Sequence, residues 1–314
     1  MGRARFVTRH PRWRLISGGV MVLSSVLVSS VLASPARADL LDPGTLDPVV
    51  EILPPRPAPY VPYTGDICPS GANRCIDRTI TEMRRRLEPL ADSCQHDAVF
   101  SLAYLRVTED VRRAIHEGVF ADRVWMNQVD AVFARMYFDT IDDWHAGRRG
   151  AVPAAWAIAL QAEDDHAMSG IGNFMLAMNA HINRDFPNVI AEVGLSGPGG
   201  GSHKPDHNAY NPRLDALYAP VFAEMAARFD PTFDDLDLDL GPFDEAFVGG
   251  VMRGWREAVW RHAENIALAR NPIERALARQ QVEAYAASQA ALIRTIFASP
   301  DPSARDAWCA EHHG

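Results

Sequence analysis

Apolar residues recur along most of this chain at the three- and four-residue spacing of an amphipathic helix. The first run contains Ile76, Ile80, Met83, Leu87 and Leu90, and side chains with this spacing lie on one face of an α-helix. Further runs with the same period cover residues 98–119, 124–144, 153 to at least 183, 214–229, 243–268 and 273–297. Convincing strand alternation is absent from the sequence. The pattern therefore predicts an all-α fold, a single bundle-like domain of about seven helices.

The first 38 residues have the composition of a secretory signal peptide. Arginines between positions 3 and 14 precede an apolar stretch from Leu15 to Leu32, and Ala36-Arg37-Ala38 supplies small residues for cleavage. This arrangement predicts cleavage after Ala38 and a secreted, extracellular protein. An uncleaved membrane anchor is the alternative, because the stretch is nearly long enough to span a bilayer. No second segment is apolar enough to cross a membrane.

Residues 39–66 are rich in proline, which fixes the backbone angle φ and removes hydrogen-bond donors. This composition predicts an extended spacer between the signal peptide and the folded part of the chain. The remaining residues, 67–314, are enough for one large all-α domain with its own core.

The net charge limits the class of partner. The whole chain carries a formal charge of −9, and the predicted signal peptide contains arginines but no acidic residue, so the mature chain is more acidic still. Such a surface repels nucleic-acid phosphates and anionic membranes. We therefore expect no nucleic-acid partner, and the sequence does not indicate an oligomeric state.

The chain has four cysteines, Cys68, Cys75, Cys94 and Cys309. An even number of cysteines in an exported protein favours two disulfides, for which three pairings exist. We favour Cys68–Cys75 as a small local loop and Cys94–Cys309 as a link from the C-terminal tail to an early helix. A metal site made of these cysteines is disfavoured, because no C-x-x-C pair occurs.

One polar cluster interrupts the apolar pattern near residue 180. His181 and Asp185 are four residues apart, a spacing that places both side chains on one helix face. An imidazole and a carboxylate together suit a zinc ion or acid–base chemistry. They equally suit a closed hydrogen-bond network that secures the helix end before Pro187.

Two other His-Asp pairs are candidates for the same site. Asp206 and His207 follow a glycine-rich loop, and His96 and Asp97 precede the second helical run. His207 and His96 are candidate metal ligands, whereas Asp97 and Asp206 are candidate bases or groups that orient a ligand histidine. His262 is a further candidate ligand, although a lone histidine on a helix is more often a hydrogen-bonded core residue. Spacing alone assigns no role to His145 or His166.

The segments "CIDRTITEMRRRL", "CQHDAVFSLAYLRVTE", "MNAHINRDFP" and "DHNAYN" resemble an uncharacterised, all-α family of bacterial secreted proteins. The resemblance covers most of residues 68–297 and implies no reaction. The chain is also similar, in its chemistry only, to the zinc-dependent phospholipase C and P1 nuclease group, whose helices present His and Asp ligands to metals. That group uses an N-terminal Trp as a ligand, which this chain lacks after Ala38, so the similarity implies at most a one- or two-metal site.

These observations lead to two competing hypotheses about function. The first is a secreted metal-dependent hydrolase, with zinc as the favoured divalent ion and a small-molecule or lipid-like ester or phosphoester as substrate. The second is a non-catalytic secreted helical protein whose His, Asn and Asp residues form a buried hydrogen-bond network. A helical oxidoreductase that binds haem or iron through one of these histidines is a third, smaller alternative.

Overall fold

The computed structural model describes residues 53–233, 245–298 and 303–312, and within these ranges the regular secondary structure is helical. The fold class predicted from the spacing of apolar residues is therefore confirmed. The helices, numbered in chain order, are α1 Arg74–Asp92, α2 Ala98–Glu117, α3 Arg123–His145, α4 Ala154–Asp164, α5 Gly170–Asn179, α6 Phe186–Val193, α7 Lys204–Ala209, α8 Asn211–Arg228, α9 Glu245–Ala267, α10 Pro272–Ile296 and α11 Ser303–His312.

A central helix runs through α5, a π-helical turn at Ala180–Asp185, and α6 without interruption. Every residue of α5 is buried, as expected for a helix that is apolar on all sides. Helices α2, α3, α4, α9 and α10 all contact this central segment. The polar cluster that contains His181 therefore lies in the middle of the molecule.

The structure corrects the prediction of one helix from residue 153 to at least 183. Helix α4 ends at Asp164, because His166 adopts a left-handed φ of 51° and closes a Schellman motif. The amide of Ala167 bonds the carbonyl of Ala162, and the amide of His166 bonds that of Glu163. Ser169 then caps α5 by accepting from the amide of Gly172. The periodic pattern shows no such break, because both helices are strongly apolar.

Short helices outside the predicted runs are the other difference from the expected seven. Helix α7 contains the Asp206-His207 pair, and α11 lies in the C-terminal tail. Both favoured disulfides are present: Cys68 is bonded to Cys75, and Cys94 to Cys309. The second bond attaches α11 to the residues that follow α1.

The structure describes residues 53–66 of the predicted spacer, and this segment is hydrogen-bonded to helix α9. The amide of Arg56 donates to Glu264 at 2.7 Å, and the carbonyl of Leu53 accepts from Lys204 and Arg261. This part of the spacer is therefore attached to the helical domain by hydrogen bonds.

The predicted signal peptide, residues 1–38, lies outside the described residues. Disulfides persist in oxidising compartments, so the two disulfides favour an extracytoplasmic location. Among the helices that the structure describes, none is both long enough and apolar enough to span a membrane.

Candidate metal centre

Three side chains from distant parts of the sequence meet at the end of the bundle near the Cys94–Cys309 disulfide. His96 Nε2 lies 3.0 Å from Asp306 Oδ1, and His166 Nδ1 lies 3.2 Å from Asp306 Oδ2. The two imidazole rings are 4.0 Å apart between centroids. One ligand atom from each residue lies within 4.8 Å of the others. Imidazole and carboxylate are zinc ligands, so this group could hold a divalent ion.

The local backbone explains why His96 and His166 are close. Helix α1 ends in a Schellman motif in which Cys94 is left-handed, with a φ of 53°, and His96 follows two residues later. Helix α4 ends in the same way with His166 itself in the left-handed position. A left-handed non-glycine residue is uncommon and strained, and such residues cluster at functional sites.

The environment keeps His96 in the protonation state that a metal ligand needs. Burial, and then the positive charge of Arg305, lower the pKa of His96 to about 4. Its ring is therefore neutral near pH 7, as metal binding requires. The second ring nitrogen, Nδ1, lies 2.9 Å from the amide nitrogen of Asn173.

The accessible side of the group is formed by His166 and Asp306. Their side chains are 50% and 39% exposed, whereas that of His96 is 1% exposed. Arg305 donates to Asp306 and to the carbonyls of Cys94 and Gln95, which fixes α11 against this end of the bundle. The group is therefore exposed to solvent at His166 and Asp306 and buried at His96.

Two buried carboxyl groups are near these ligands in the sequence, Asp97 next to His96 and Glu163 three residues before His166. Asp97 Oδ1 and Glu163 Oε2 are buried and have no hydrogen-bond partner in the described part of the chain. Burial raises the pKa of Asp97 to about 6, and burial followed by the nearby charge of Asp97 raises the pKa of Glu163 well above its ordinary value. The imidazole Nε2 of His145 lies 3.9 Å from Asp97 Oδ2.

His181 and Asp185 do form the predicted pair, and it lies deep in the core. His181 Nδ1 lies 3.1 Å from Asp185 Oδ2, and the two side chains are 2% and 0% exposed. Trp156 donates to Asp185 Oδ2 at 2.8 Å, and Arg184 donates to Oδ1 at 2.9 Å. Both oxygens of Asp185 are therefore occupied. His181 Nε2 has no partner among the described residues, and the imidazole stacks on Phe133.

The other candidates from the sequence lie elsewhere. His207 Nε2 donates to the carbonyl of Arg256 at 3.0 Å. His262 packs against the ring of Tyr285. Asp206 accepts from the main-chain amides of Ala121 and Asp122, both at 2.8 Å, and so fixes the loop before α3. The main chain thus occupies both oxygens of Asp206.

The five predicted ligands, His96, His181, Asp185, His207 and His262, therefore do not form one coordination group. Within the described ranges, His96, His166 and Asp306 are the only group of three or more suitable side chains close enough to share an ion. Sequence reasoning found His96 and Asp97 but missed His166 and Asp306. The predicted Cys94–Cys309 disulfide could have indicated Asp306, because it places residues near 309 beside those near 94.

Residues 76–296 match the model of a family described as "Family of unknown function (DUF5995)". This match agrees with the expected resemblance to an uncharacterised family and covers nearly all of its predicted extent. No curated protein and no solved structure gives a significant match. The family match assigns no reaction to the chain.

Proposed function

The chain belongs to the DUF5995 family of unknown function, and we propose that it is a metal-dependent hydrolase. His96 Nε2, His166 Nδ1 and the carboxylate of Asp306 would hold the divalent ion, with zinc favoured. The observation that carries the proposal is the convergence of these three ligand atoms within 4.8 Å. The substrate class that we propose is an ester or a phosphoester.

The number of protein ligands supports a catalytic site over a structural one. Structural zinc sites are usually closed by four protein ligands, whereas catalytic sites use three and leave a position for water or substrate. Here the accessible side is formed by the half-exposed His166 and Asp306. A bound divalent ion lowers the pKa of a coordinated water and polarises the oxygen of the scissile bond.

The residues around the ligands have separate proposed roles. Asp97 is next to His96, and its buried Oδ1 is free to take a hydrogen bond or a proton, so we propose it as the base. Asn173 is a positioning residue, because its amide contacts the second nitrogen of His96. We do not assign this role to Asp206, the other candidate base, because both of its oxygens accept main-chain amides and fix the loop before α3.

We favour a non-catalytic role for His181 and Asp185, which the sequence indicated either as metal ligands or as part of a buried hydrogen-bond network. The carboxylate of Asp185 accepts from His181, Trp156 and Arg184, so both of its buried oxygens are satisfied, and such hydrogen bonds stabilise packing. We propose that this pair secures the π-helical turn and takes no part in metal binding. His181→Ala is then expected to lower the melting temperature and to leave the metal content unchanged.

Substitution of His166 by glycine separates loss of metal from loss of fold. His166→Gly removes one ligand and also removes the cost of a left-handed backbone at a residue with a Cβ. We expect this variant to lose stoichiometric zinc and to melt no lower than the zinc-free wild-type protein, because bound zinc itself stabilises the folded state. Elemental analysis after dialysis against a weak chelator, together with a thermal melt, measures both quantities.

The matched control is His262→Ala, which removes a histidine outside the group and should retain zinc. Hydrolysis of p-nitrophenyl acetate and of bis(p-nitrophenyl) phosphate should be lost in His166→Gly. In the wild-type protein, a chelator should abolish hydrolysis and added zinc should restore it. A wild-type protein that binds no zinc, or a His166→Gly variant that keeps it, would refute the metal site. Zinc binding without hydrolysis of either ester would refute the reaction while retaining the site.

A further inference from the structure

A second feature of the molecule, separate from the metal centre, is a partly open cavity of about 120 Å³ bordered mainly by α2, α3, α5, α8 and α9. Its walls are almost wholly apolar and include Phe133, Met178, Leu214 and Phe222. Volume of this size is unusual in a close-packed interior, where voids larger than a water molecule are few. An apolar cavity with a few polar groups in its wall is the usual form of a small-molecule site.

Four residues that line the cavity carry a buried polar atom without a hydrogen-bond partner among the described residues. His181 Nε2, His207 Nδ1 and the hydroxyls of Tyr104 and Tyr218 are all buried, and none has a hydrogen-bond partner within the described ranges. Each such group costs free energy unless it is paired. Four of them around one cavity point to a ligand that supplies the missing partners.

Arg256 brings a positive charge into the same wall. The Arg256 residue is 6% exposed. Its Nε donates to Asn211 Oδ1 at 2.6 Å, and its Nη2 donates to the carbonyl of His207. Both acceptors are neutral, and Arg256 forms no salt bridge in the part of the chain that the structure describes. The carboxylate of Asp215 acts on Arg256 from a longer distance, but it is ion-paired with Arg253. Burial lowers the pKa of Arg256 to about 10, so the guanidinium is still charged near pH 7.

A buried charge without a counter-charge is costly, and buried charges in proteins are normally paired. The neighbouring cation shows the usual arrangement, since Arg253 is paired with Asp215. The ring of Phe186 lies under the Arg256 guanidinium at 5.8 Å and stacks on Phe133 at 4.6 Å. The cation therefore borders the same aromatic wall on which His181 lies.

We propose that the cavity binds a small organic carboxylate, with its apolar body inside the aromatic wall and its carboxylate ion-paired with Arg256. The guanidinium presents planar N–H donors that match a carboxylate. Tyr218 also borders the cavity, and its buried hydroxyl has no partner among the described residues, so it could donate a second hydrogen bond. A cavity near this volume accommodates a single six-membered ring, so benzoate is a suitable probe.

Isothermal titration of the full mature chain with benzoate and with benzamide tests the charge requirement. The two probes share their ring and differ in charge. We expect benzoate to bind at least about tenfold more tightly, because hydrogen bonds to a charged group are the stronger kind. Arg256→Gln should abolish this preference, and Arg275→Gln, which changes an exposed arginine on α10, should leave it unchanged.

A second variant covers the case in which Arg256→Gln does not fold. Ala103 lines the cavity from α2, and Ala103→Leu places extra side-chain volume there without removing any polar group. We expect it to fold, to block benzoate binding and to cancel the rise in melting temperature that benzoate gives to wild-type protein.

Equal affinity for benzoate and benzamide would overturn the proposal, as would benzoate binding that survives Ala103→Leu. Failure of benzoate to bind the wild-type chain would also overturn it. None of these outcomes bears on the metal centre, because His166→Gly should bind benzoate normally and Ala103→Leu should keep its zinc.

Discussion

Cys94 and Cys309 are bonded to each other across a separation of 215 residues, with their Cα atoms 5.9 Å apart. The bond holds α11 against the end of α1. His96 follows Cys94 by two residues in the sequence, and Asp306 precedes Cys309 by three. The disulfide therefore determines which two parts of the chain meet at the proposed metal centre.

Removal of this disulfide should weaken the fold and the metal site together. The double variant Cys94→Ser, Cys309→Ser is expected to lose roughly 2–5 kcal/mol of unfolding free energy, because a long loop is no longer closed in the unfolded chain. It should also bind zinc more weakly, since Asp306 is less firmly held. Urea denaturation and a chelator competition measure the two effects.

The control for this prediction is the pair Cys68→Ser, Cys75→Ser, which opens a bond with a sequence separation of only 7. A shorter closed loop gives a smaller entropic stabilisation, and neither cysteine is near the ligands. Equal losses of stability in the two double variants, with equal zinc affinity, would show that the long disulfide has no special role at the centre.

The helical faces could be predicted from the sequence because they depend on local spacing. Ile76, Ile80, Met83 and Leu87 are all buried, as their period indicates. The end of α4 could not be predicted, because it depends on a left-handed residue, His166, at which glycine would be the usual signal. The spacing of apolar residues indicates which side chains are buried, but it does not indicate the backbone angle of a single residue.

The site was only partly predictable for a related reason. The four-residue spacing correctly joined His181 to Asp185, which are hydrogen-bonded. It could not show that Trp156, from another helix, occupies the same carboxylate oxygen. Likewise, no sequence motif indicates that His96 lies beside Asp306, because their contact depends on tertiary structure and the disulfide.

Asn173 should control zinc affinity through the tautomer of His96. Coordination by Nε2 of a neutral imidazole requires a proton on Nδ1, and that proton needs an acceptor. The amide oxygen Oδ1 of Asn173 has no partner in the described part of the chain, and a half-turn of the amide would place it at Nδ1. Asn173→Ala is expected to weaken zinc binding by about 10–100-fold.

A spectroscopic measurement distinguishes this positioning role from a general loss of packing. Cobalt bound in place of zinc should show an altered visible spectrum in Asn173→Ala, and Asn173→Asp, which keeps an acceptor, should restore most of the wild-type spectrum. If Asn173→Ala only lowers the melting temperature and leaves affinity and spectrum intact, Asn173 does not orient His96.

Asp130 should make the fold less stable as pH rises. Burial raises the pKa of Asp130 to about 8, from 3.8 for a solvated carboxyl. Between these pH values the folded chain holds a proton that the unfolded chain has released, so unfolding free energy falls with increasing pH. Asp130→Asn stays neutral throughout and lacks this fall.

We therefore expect Asp130→Asn to gain stability over the wild-type protein as pH increases from about 4 to about 8, with no further gain above that range. Denaturation in urea at several pH values measures the difference. Asp139→Asn, on the same helix but with a side chain 54% exposed, is the control and should show no comparable gain. A constant difference between Asp130→Asn and wild type at all pH values would contradict the prediction.

Trp156 should contribute more to stability through its N–H group than Trp144 does. Both indoles are buried, and each donates to a carboxylate, Trp156 to Asp185 and Trp144 to Asp164. The side chain of Asp164 is 48% exposed, so water can replace the lost donor, whereas that of Asp185 is 0% exposed. Substitution by phenylalanine removes the same atoms at both positions.

Trp156→Phe is therefore expected to cost about 1–3 kcal/mol more unfolding free energy than Trp144→Phe, because the lost hydrogen bond is to a buried carboxylate and water cannot replace the donor there. Chemical denaturation of both variants measures it, with zinc content as an internal check. Zinc should stay unchanged in both, because the proposed ligands are elsewhere. If Trp156→Phe lost zinc while Trp144→Phe kept it, His181 and Asp185 would have to be returned to the metal site, since Trp156 contacts that pair and none of the proposed ligands.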